Sequence, residues 1–364
     1  MNPDQFYTTS QKACQEAGKI LVIDLGFLGD SIHLIPVLWE LRRHHPRAAL
    51  HVLTSPLGAE ALRMLSCVDK GWAFPLGPPS PSWWKHWDII KKLRREHFDV
   101  AYNFSGADRT IFLTALSGAG LRMTHEAARK HFWTPWLVQC VVPGQDRSLP
   151  VFEQRRQVLA ACGYILAPAQ FGLKVPPLAL DWAEERVPAG SVHISPNAST
   201  HLKEWPLEHS IALVRRLLAE NPGLTVVVTG SSRQREKKRL RQIAAEAGDG
   251  DARVRVLTDP TLVQLAGVLT RCRVHVGPDS GVIHLAYALG VPTFSIFREY
   301  AGLKEWLPRG ENHLHRIAAC RCAGLKDPAC RNAPHARCLA DISPEEVLRA
   351  LDHFQLSKPL PQGS

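Results

Sequence analysis

Three short stretches bring together glycine, carboxylate, hydroxyl and ammonium groups at spacings that suit a phosphate-bearing ligand. In Gly26-Phe-Leu-Gly29-Asp30 two glycines allow a tight turn, and the aspartate stands where the chain enters a helix. An aspartate there is first a helix cap, with a catalytic role as the alternative. The G-x-x-G spacing lacks the G-x-G-x-x-G fingerprint, which argues against a nicotinamide enzyme. The second stretch, Ser195-Pro-Asn-Ala-Ser199-Thr200 followed by Lys203, Trp205 and Pro206, gathers hydroxyls, amides and one ammonium. That set suits a phosphate; solvated turn residues and a cap for a helix from Leu207 account for it equally. The third, Gly277-Pro-Asp279-Ser280-Gly281-Val282-Ile-His284, opens a helix whose free N–H groups can bind an anion without a metal. Asp279 would repel that anion unless it turns to sugar hydroxyls. His284, one turn in on the face of Gly281, reaches a ligand or packs in the core.

Other residues carry a weaker signal. His33 lies one turn beyond Asp30 and can orient it, although a histidine beside an apolar face is more often packed in a core. Cys320, Cys322, Cys330 and Cys338 lie near His313, His315 and His335. Four thiolates can hold zinc or iron, but C-x-C followed by two seven-residue gaps is not the C-x₂-C pair of zinc ribbons. Reduced structural thiols are the expectation, with a bound metal as the alternative, and no cofactor is expected. The other five of the nine cysteines are scattered, which fits a reducing compartment.

The elements that must carry these residues alternate. Strands are expected at Lys19–Ile23, Leu50–Leu53, Trp72–Phe74 and Val100–Phe104. Helices fall between them at Ser31–His44, Ala59–Leu65 and Trp84–His97. Pro36 should kink or shorten the first helix. The pattern weakens from Thr124 to Pro150, turns proline-rich from Ala167 to Leu178, then restarts with strands at Ser191–Ser195, Leu224–Thr229, Val254–Leu257, Val274–Val276 and Thr293–Ile296. This predicts an α/β chain of two doubly wound, Rossmann-like domains facing a central cleft, with ligands at the carboxyl ends of the strands. The expected divisions are an extension over 1–18, domains over 19–180 and 181–342, the second holding the cysteine segment 320–338, and a helix and tail over 343–364. Ser343-Pro-Glu-Glu346 is a capping-box sequence for that last helix.

Length and charge bound the function. At 364 residues, 45% hydrophobic and 21% charged, the chain can bury two cores. No apolar run approaches the roughly 18 residues of a membrane span, and the first residues have no signal-peptide core, so a cytoplasmic protein is expected. The 44 basic against 34 acidic residues give +10, yet the basic residues are spread out and no nucleic-acid-binding spacing appears. A phosphate-bearing substrate or an anionic membrane surface explains the surplus as well.

Taken together, these residues resemble the ADP-heptose:lipopolysaccharide heptosyltransferases, glycosyltransferase family 9, with the GT-B fold. The resemblance rests on Lys19-Ile-Leu-Val-Ile23 with Gly29-Asp30-Ser-Ile-His33 and Pro36, Leu53-Thr54, Lys203-Glu-Trp-Pro206, Gly277 to His284, and Gly290-Val-Pro-Thr293. It spans about Lys19 to Phe354. It implies an inverting, metal-independent transferase with Asp30 as general base and an ADP-heptose donor. The diphosphate would be met by Ser199, Thr200, Lys203 and the amides from Ser280 to Val282, with Asp279 and His284 around the donor. It also implies a lipopolysaccharide inner-core acceptor and a position peripheral to the inner membrane. Ser280 stands where the family commonly has threonine. The stretch Ala107–Lys130 matches loosely; beside Gly29 and His33, Arg109, Arg122, Arg129 and Lys130 are the acceptor-side candidates there, and a solvated basic face accounts for these four as well. The same family acting on another sugar or acceptor, or a non-catalytic nucleotide-binding module with a cysteine-bound metal, are the competing readings.

Overall fold

The Lys19–Asp24 run is apolar on both faces and becomes β1, a central strand buried on both sides, as a covered parallel sheet requires. The computed structural model describes residues 11–75, 86–125, 131–142, 146–248, 250–320, 330 and 335–356. Around β1 lie β2 (Ala49–Thr54), β3 (Lys70–Ala73), β4 (Val100–Asn103), β5 (Leu121–His125) and β6 (Cys140–Val142). They form one parallel sheet in the order β3-β2-β1-β4-β5-β6. The order reverses between β1 and β4, where Ile23 stands in register with Asn103.

Composition did not announce every element. The helices Asp108–Leu116 and Val151–Ala161, with β5 and β6, occupy or border the stretch where alternation weakens. β5 reads Leu-Arg-Met-Thr-His and β6 is three residues long, too polar or too short to stand out. The helix after β1 begins at Leu28 rather than Ser31 and runs unbroken to His44, so Pro36 neither ends nor shortens it. Every residue from Ser31 to Leu38 is buried, and that packing outweighs the one hydrogen bond that proline removes.

The second set is β7 (Ser191–Ile194), β8 (Val226–Gly230), β9 (Val254–Thr258), β10 (Cys272–Pro278), β11 (Thr293–Arg298) and β12 (His313–Ala318). Its parallel order, β12-β11-β10-β7-β8-β9, repeats the connectivity of the first sheet, with its reversal between β7 and β10. Val192, Ile194, Val226, Val228, Val274, Val276, Phe294 and Ile296 point into one hydrophobic core. The alternate positions carry polar groups that are also buried: His193, Ser195, Thr229, His275, Thr293 and Ser295. The Nδ1 atoms of His193 and His275 lie 2.6 Å apart, and His193 Nε2 lies 2.9 Å from Thr229 Oγ1. Burial pushes His193 down to about 3 and His275 well below the ordinary imidazole range.

The chain divides into two compact units between Gly172 and Leu173, earlier than the Leu180 boundary that the proline-rich stretch suggests. The helix Pro177–Glu184 forms inside that stretch, because proline suits a first helical turn, and it packs on the helix Leu262–Thr270 of the second unit. The two backbones approach so closely that a Cβ on Gly267 would stand 2.4 Å from the Ala179 carbonyl oxygen. The helix Pro344–Leu351 also joins the second core, through Val347, Leu348 and Leu351. Ser343 Oγ accepts from the Glu346 amide at 3.1 Å, but the Glu346 carboxylate pairs with Arg316 at 2.6 Å, so the capping box is made in one direction.

Candidate functional site

In the first unit, β1 ends at Asp24 and the turn Leu25–Phe27 leads into the helix, placing Asp30 beside the switch in strand order. Asp30 is not the N-cap; that position is Phe27, and Asp30 lies in the first turn with its Oδ2 accepting from the Phe27 amide at 2.9 Å. This carboxylate folds back over Gly26: a Cβ there would lie 2.4 Å from both Cβ and Cγ of Asp30, so no other residue fits without moving it. Asp24 Oδ1 accepts from the Gly26 amide at 2.9 Å and closes the turn from the other side.

The residue that joins these carboxylates is Arg155, which sequence reasoning missed. Its guanidinium pairs with Asp24 Oδ2 at 2.8 Å and Asp30 Oδ1 at 3.2 Å, and also donates to the Asp30 main-chain carbonyl. The side chains of Arg155 and Asp24 are 9% and 1% exposed, against 25% for Asp30, so Asp30 is the member that keeps an opening. Burial raises the Asp30 carboxyl above the ordinary range, the Arg155 charge opposes this, and the Asp24 charge adds to it. A signal for Arg155 was present: it shares the helical line of Val151 and Leu159, both buried. His33 is buried one turn from Asp30, stacked on Phe152 at 5.9 Å and edge-on to Phe171 at 6.5 Å.

In the second unit the switch between β7 and β10 brings the other two stretches together. The loop after β7 is anchored by Glu204, whose Oε1 accepts from the Ala198 amide at 3.0 Å and pairs with Arg235 at 2.8 Å. Trp205 adds a buried bond to the Ile342 carbonyl at 3.0 Å. Ser199 and Thr200 are exposed on this loop, and a single 3-10 turn, His201–Lys203, follows. Lys203 Nζ reaches Asp279 Oδ2 at 2.7 Å and lies 5.7 Å from the Tyr300 ring centre. Burial, with the Asp279 charge, holds the Tyr300 hydroxyl well above the usual range.

Ser280 is the N-cap of the helix Gly281–Ala288, and its side chain makes no capping bond. The amides of Gly281, Val282 and Ile283 therefore have no partner within the helix, the arrangement that accepts an anion. Lys203 neutralises Asp279, which removes the repulsion expected of that carboxylate. His284 is buried, with its ring 5.6 Å from Trp306. Burial brings it down to about 4, ahead of the opposing pulls of Asp279 and Lys203 on its charge, so it is a neutral imidazole at pH 7.

Other candidates lie elsewhere. Gly29 is buried within the first helix, and Arg109 is exposed in the first turn of the helix Asp108–Leu116. Arg122 does not join Asp30. It stands in register with Ala101, and Ala101 with Leu21, near the amino ends of the strands; its guanidinium donates to the carbonyls of Leu137 and Ala119, both at 2.8 Å. Burial lowers it. Arg129, Lys130 and Cys322 lie outside the described residues. Cys320 and Cys330 are buried and Cys338 is half-buried; among the described residues no three His, Cys, Asp or Glu side chains are grouped as a metal would need. No helix among the described residues is long and apolar enough to cross a membrane.

A family model described as glycosyltransferase family 9 (heptosyltransferase) matches residues 86–319. Lipopolysaccharide heptosyltransferase 2 of Escherichia coli is 24% identical over 293 residues, covering 77% of this chain and 82% of that protein. Among solved structures, a glycosyl transferase family 9 protein from Veillonella parvula matches with a TM-score of 0.78 at 16% identity, covering 94% of this chain and 98% of that one. The E. coli heptosyltransferase WaaC with ADP-2-deoxy-2-fluoro heptose matches with a TM-score of 0.71 at 18% identity, covering 92% and 99%.

Proposed function

The chain belongs to glycosyltransferase family 9, the heptosyltransferases, and from that premise we propose that it moves a heptose from ADP-heptose to an inner-core lipopolysaccharide acceptor with inversion at the anomeric carbon. An acceptor oxygen attacks that carbon, its bond to the diphosphate oxygen breaks, and the hydroxyl proton passes to Asp30. One observation carries this reading: Asp30 is a single partly open carboxylate, raised by burial and fixed at the carboxyl end of β1. The cradle in the second unit supplies what the leaving ADP needs. Its charge falls on the Gly281–Ile283 amides and on Lys203, while Ser199, Thr200 and Ser280 offer hydroxyls. Asp279 and His284 are assigned to the donor's hydroxyls. With these groups in place the reaction requires no divalent metal.

A heptosyltransferase structure bound to an ADP-heptose analogue, and a relative named for lipopolysaccharide, support the choice of donor and acceptor. We place the enzyme on the cytoplasmic face of the inner membrane, its +10 surplus towards an anionic surface. The test pairs binding with turnover. ADP should raise the melting temperature of wild type and Asp30→Asn alike, with or without EDTA, while Asp30→Asn transfers no heptose. Full transfer by Asp30→Asn removes the base assignment. Stabilisation by UDP or GDP instead of ADP moves the donor to another sugar, and no response to any nucleotide removes the transferase reading. Failure to bind anionic vesicles at low salt removes the membrane part.

A further inference from the structure

We propose that Asp24 and Arg155 act as an opposed pair of positioning residues that set the basicity of Asp30, Arg155 holding the carboxylate in place and Asp24 withholding part of the guanidinium's charge from it. The proposal rests on Asp30 being the base. A guanidinium paired with Asp30 alone would hold the carboxylate firmly but leave it a poor proton acceptor, because an adjacent cation favours the ionised form. Here the shorter contact goes to Asp24, at 2.8 Å, and the longer to Asp30, at 3.2 Å, with a further bond to the Asp30 main-chain carbonyl. The positional anchor is thereby kept on the backbone and the Phe27 amide, while one buried cation is shared between two carboxylates. Asp24 at 1% exposure has no access to a substrate, so its place in the triad is explained by what it does to its neighbours.

Among the described residues, the charged groups against Asp30 are Asp24 from β1 and Arg155 from the helix Val151–Ala161. On its own helix, His33 is stacked on Phe152 one turn away. The triad therefore makes a prediction of opposite signs, which loss of packing does not. In Arg155→Gln the cation is gone, and the acid limb of kcat/KM against pH moves up by about one pH unit. In Asp24→Asn the whole guanidinium charge falls to Asp30, and the limb moves down. Arg155→Lys keeps the charge and holds the limb near its wild-type position. Profiles are read on full-length protein with ADP-heptose and a soluble acceptor, beside the melting temperature of each variant. If Arg155→Gln does not fold, the Asp24→Asn and Arg155→Lys profiles decide. Limbs that stay in place while kcat/KM falls evenly at every pH, or that move the same way in Arg155→Gln and Asp24→Asn, overturn the proposal. The base assignment fails separately, by an active Asp30→Asn.

Discussion

Lys203 and Asp279 bring opposite charges into the corner where a diphosphate would lie, and they hold each other at 2.7 Å. Removing the lysine exposes the carboxylate to the incoming anion and deletes one charge-assisted contact. Lys203→Ala is therefore expected to raise KM for the nucleotide sugar by about tenfold or more, on the scale of one hydrogen bond to a charged group. Steady-state kinetics at fixed acceptor checks this, and an unchanged donor KM would place the diphosphate elsewhere. Sequence pattern identified Lys203, Asp279 and Asp30 as chemical candidates because small residues and turn residues flank them. It did not pair Lys203 with Asp279, and it missed Arg155 altogether. Those pairings join residues far apart in the chain, such as Asp30 and Arg155 at 125 positions.

At the scale of elements, the turn between β1 and its helix works only with a hydrogen side chain at Gly26. Gly26→Ala should shift Asp30 off the Phe27 amide, lowering transfer by more than tenfold while ADP stabilisation persists, since nucleotide binding is assigned to the other unit. Retained turnover would show that Asp30 need not stay folded back. The edge of the first sheet is tied by Glu96, which accepts from Lys19 of β1 at 2.5 Å and Lys70 of β3 at 2.9 Å. These bonds hold the Glu96 carboxyl down to about 2. For a depressed carboxyl the stabilisation is complete above the unfolded value, near 4.3, and is lost as pH falls towards 2. Glu96→Gln should cost about 1 kcal/mol at pH 7, a figure reduced for the partial exposure of the group, and progressively less below pH 4. Denaturant titrations of both proteins at pH 7 and pH 4 measure the difference. β1 was legible because burial on both faces makes it nearly all apolar, and β7, β8, β10 and β11 through the Val, Ile and Phe of their core face; β5, β6 and β12 were not, since edge or short strands carry the polar residues found throughout loops.

At the scale of the whole molecule, neutral histidines buried in the second unit make stability depend on pH. The unfolded imidazole binds a proton near pH 6.5, whereas His284 resists until about 4 and His193 until about 3. A base lowered by folding gives stability that is present above the unfolded value and lost as pH falls below it. Each such histidine removes about 1.4 kcal/mol per pH unit over that range. Scanning calorimetry should show a steep fall in melting temperature from pH 6.5 to 5, reduced in His193→Asn; a flat profile would mean the imidazoles are already charged or solvated. By itself the sequence determined the α/β alternation, the two-domain plan and three loops of chemical residues, because periodicity, glycine and proline act on neighbours in the chain. The tertiary structure decided the repeated strand order, the place of the Pro177–Glu184 helix, the polar buried face holding His193 and His275, and the Arg155 triad. Each depends on which distant side chains share a buried space and so must answer one another's charge or hydrogen bonds, and local pattern carries no record of that partner.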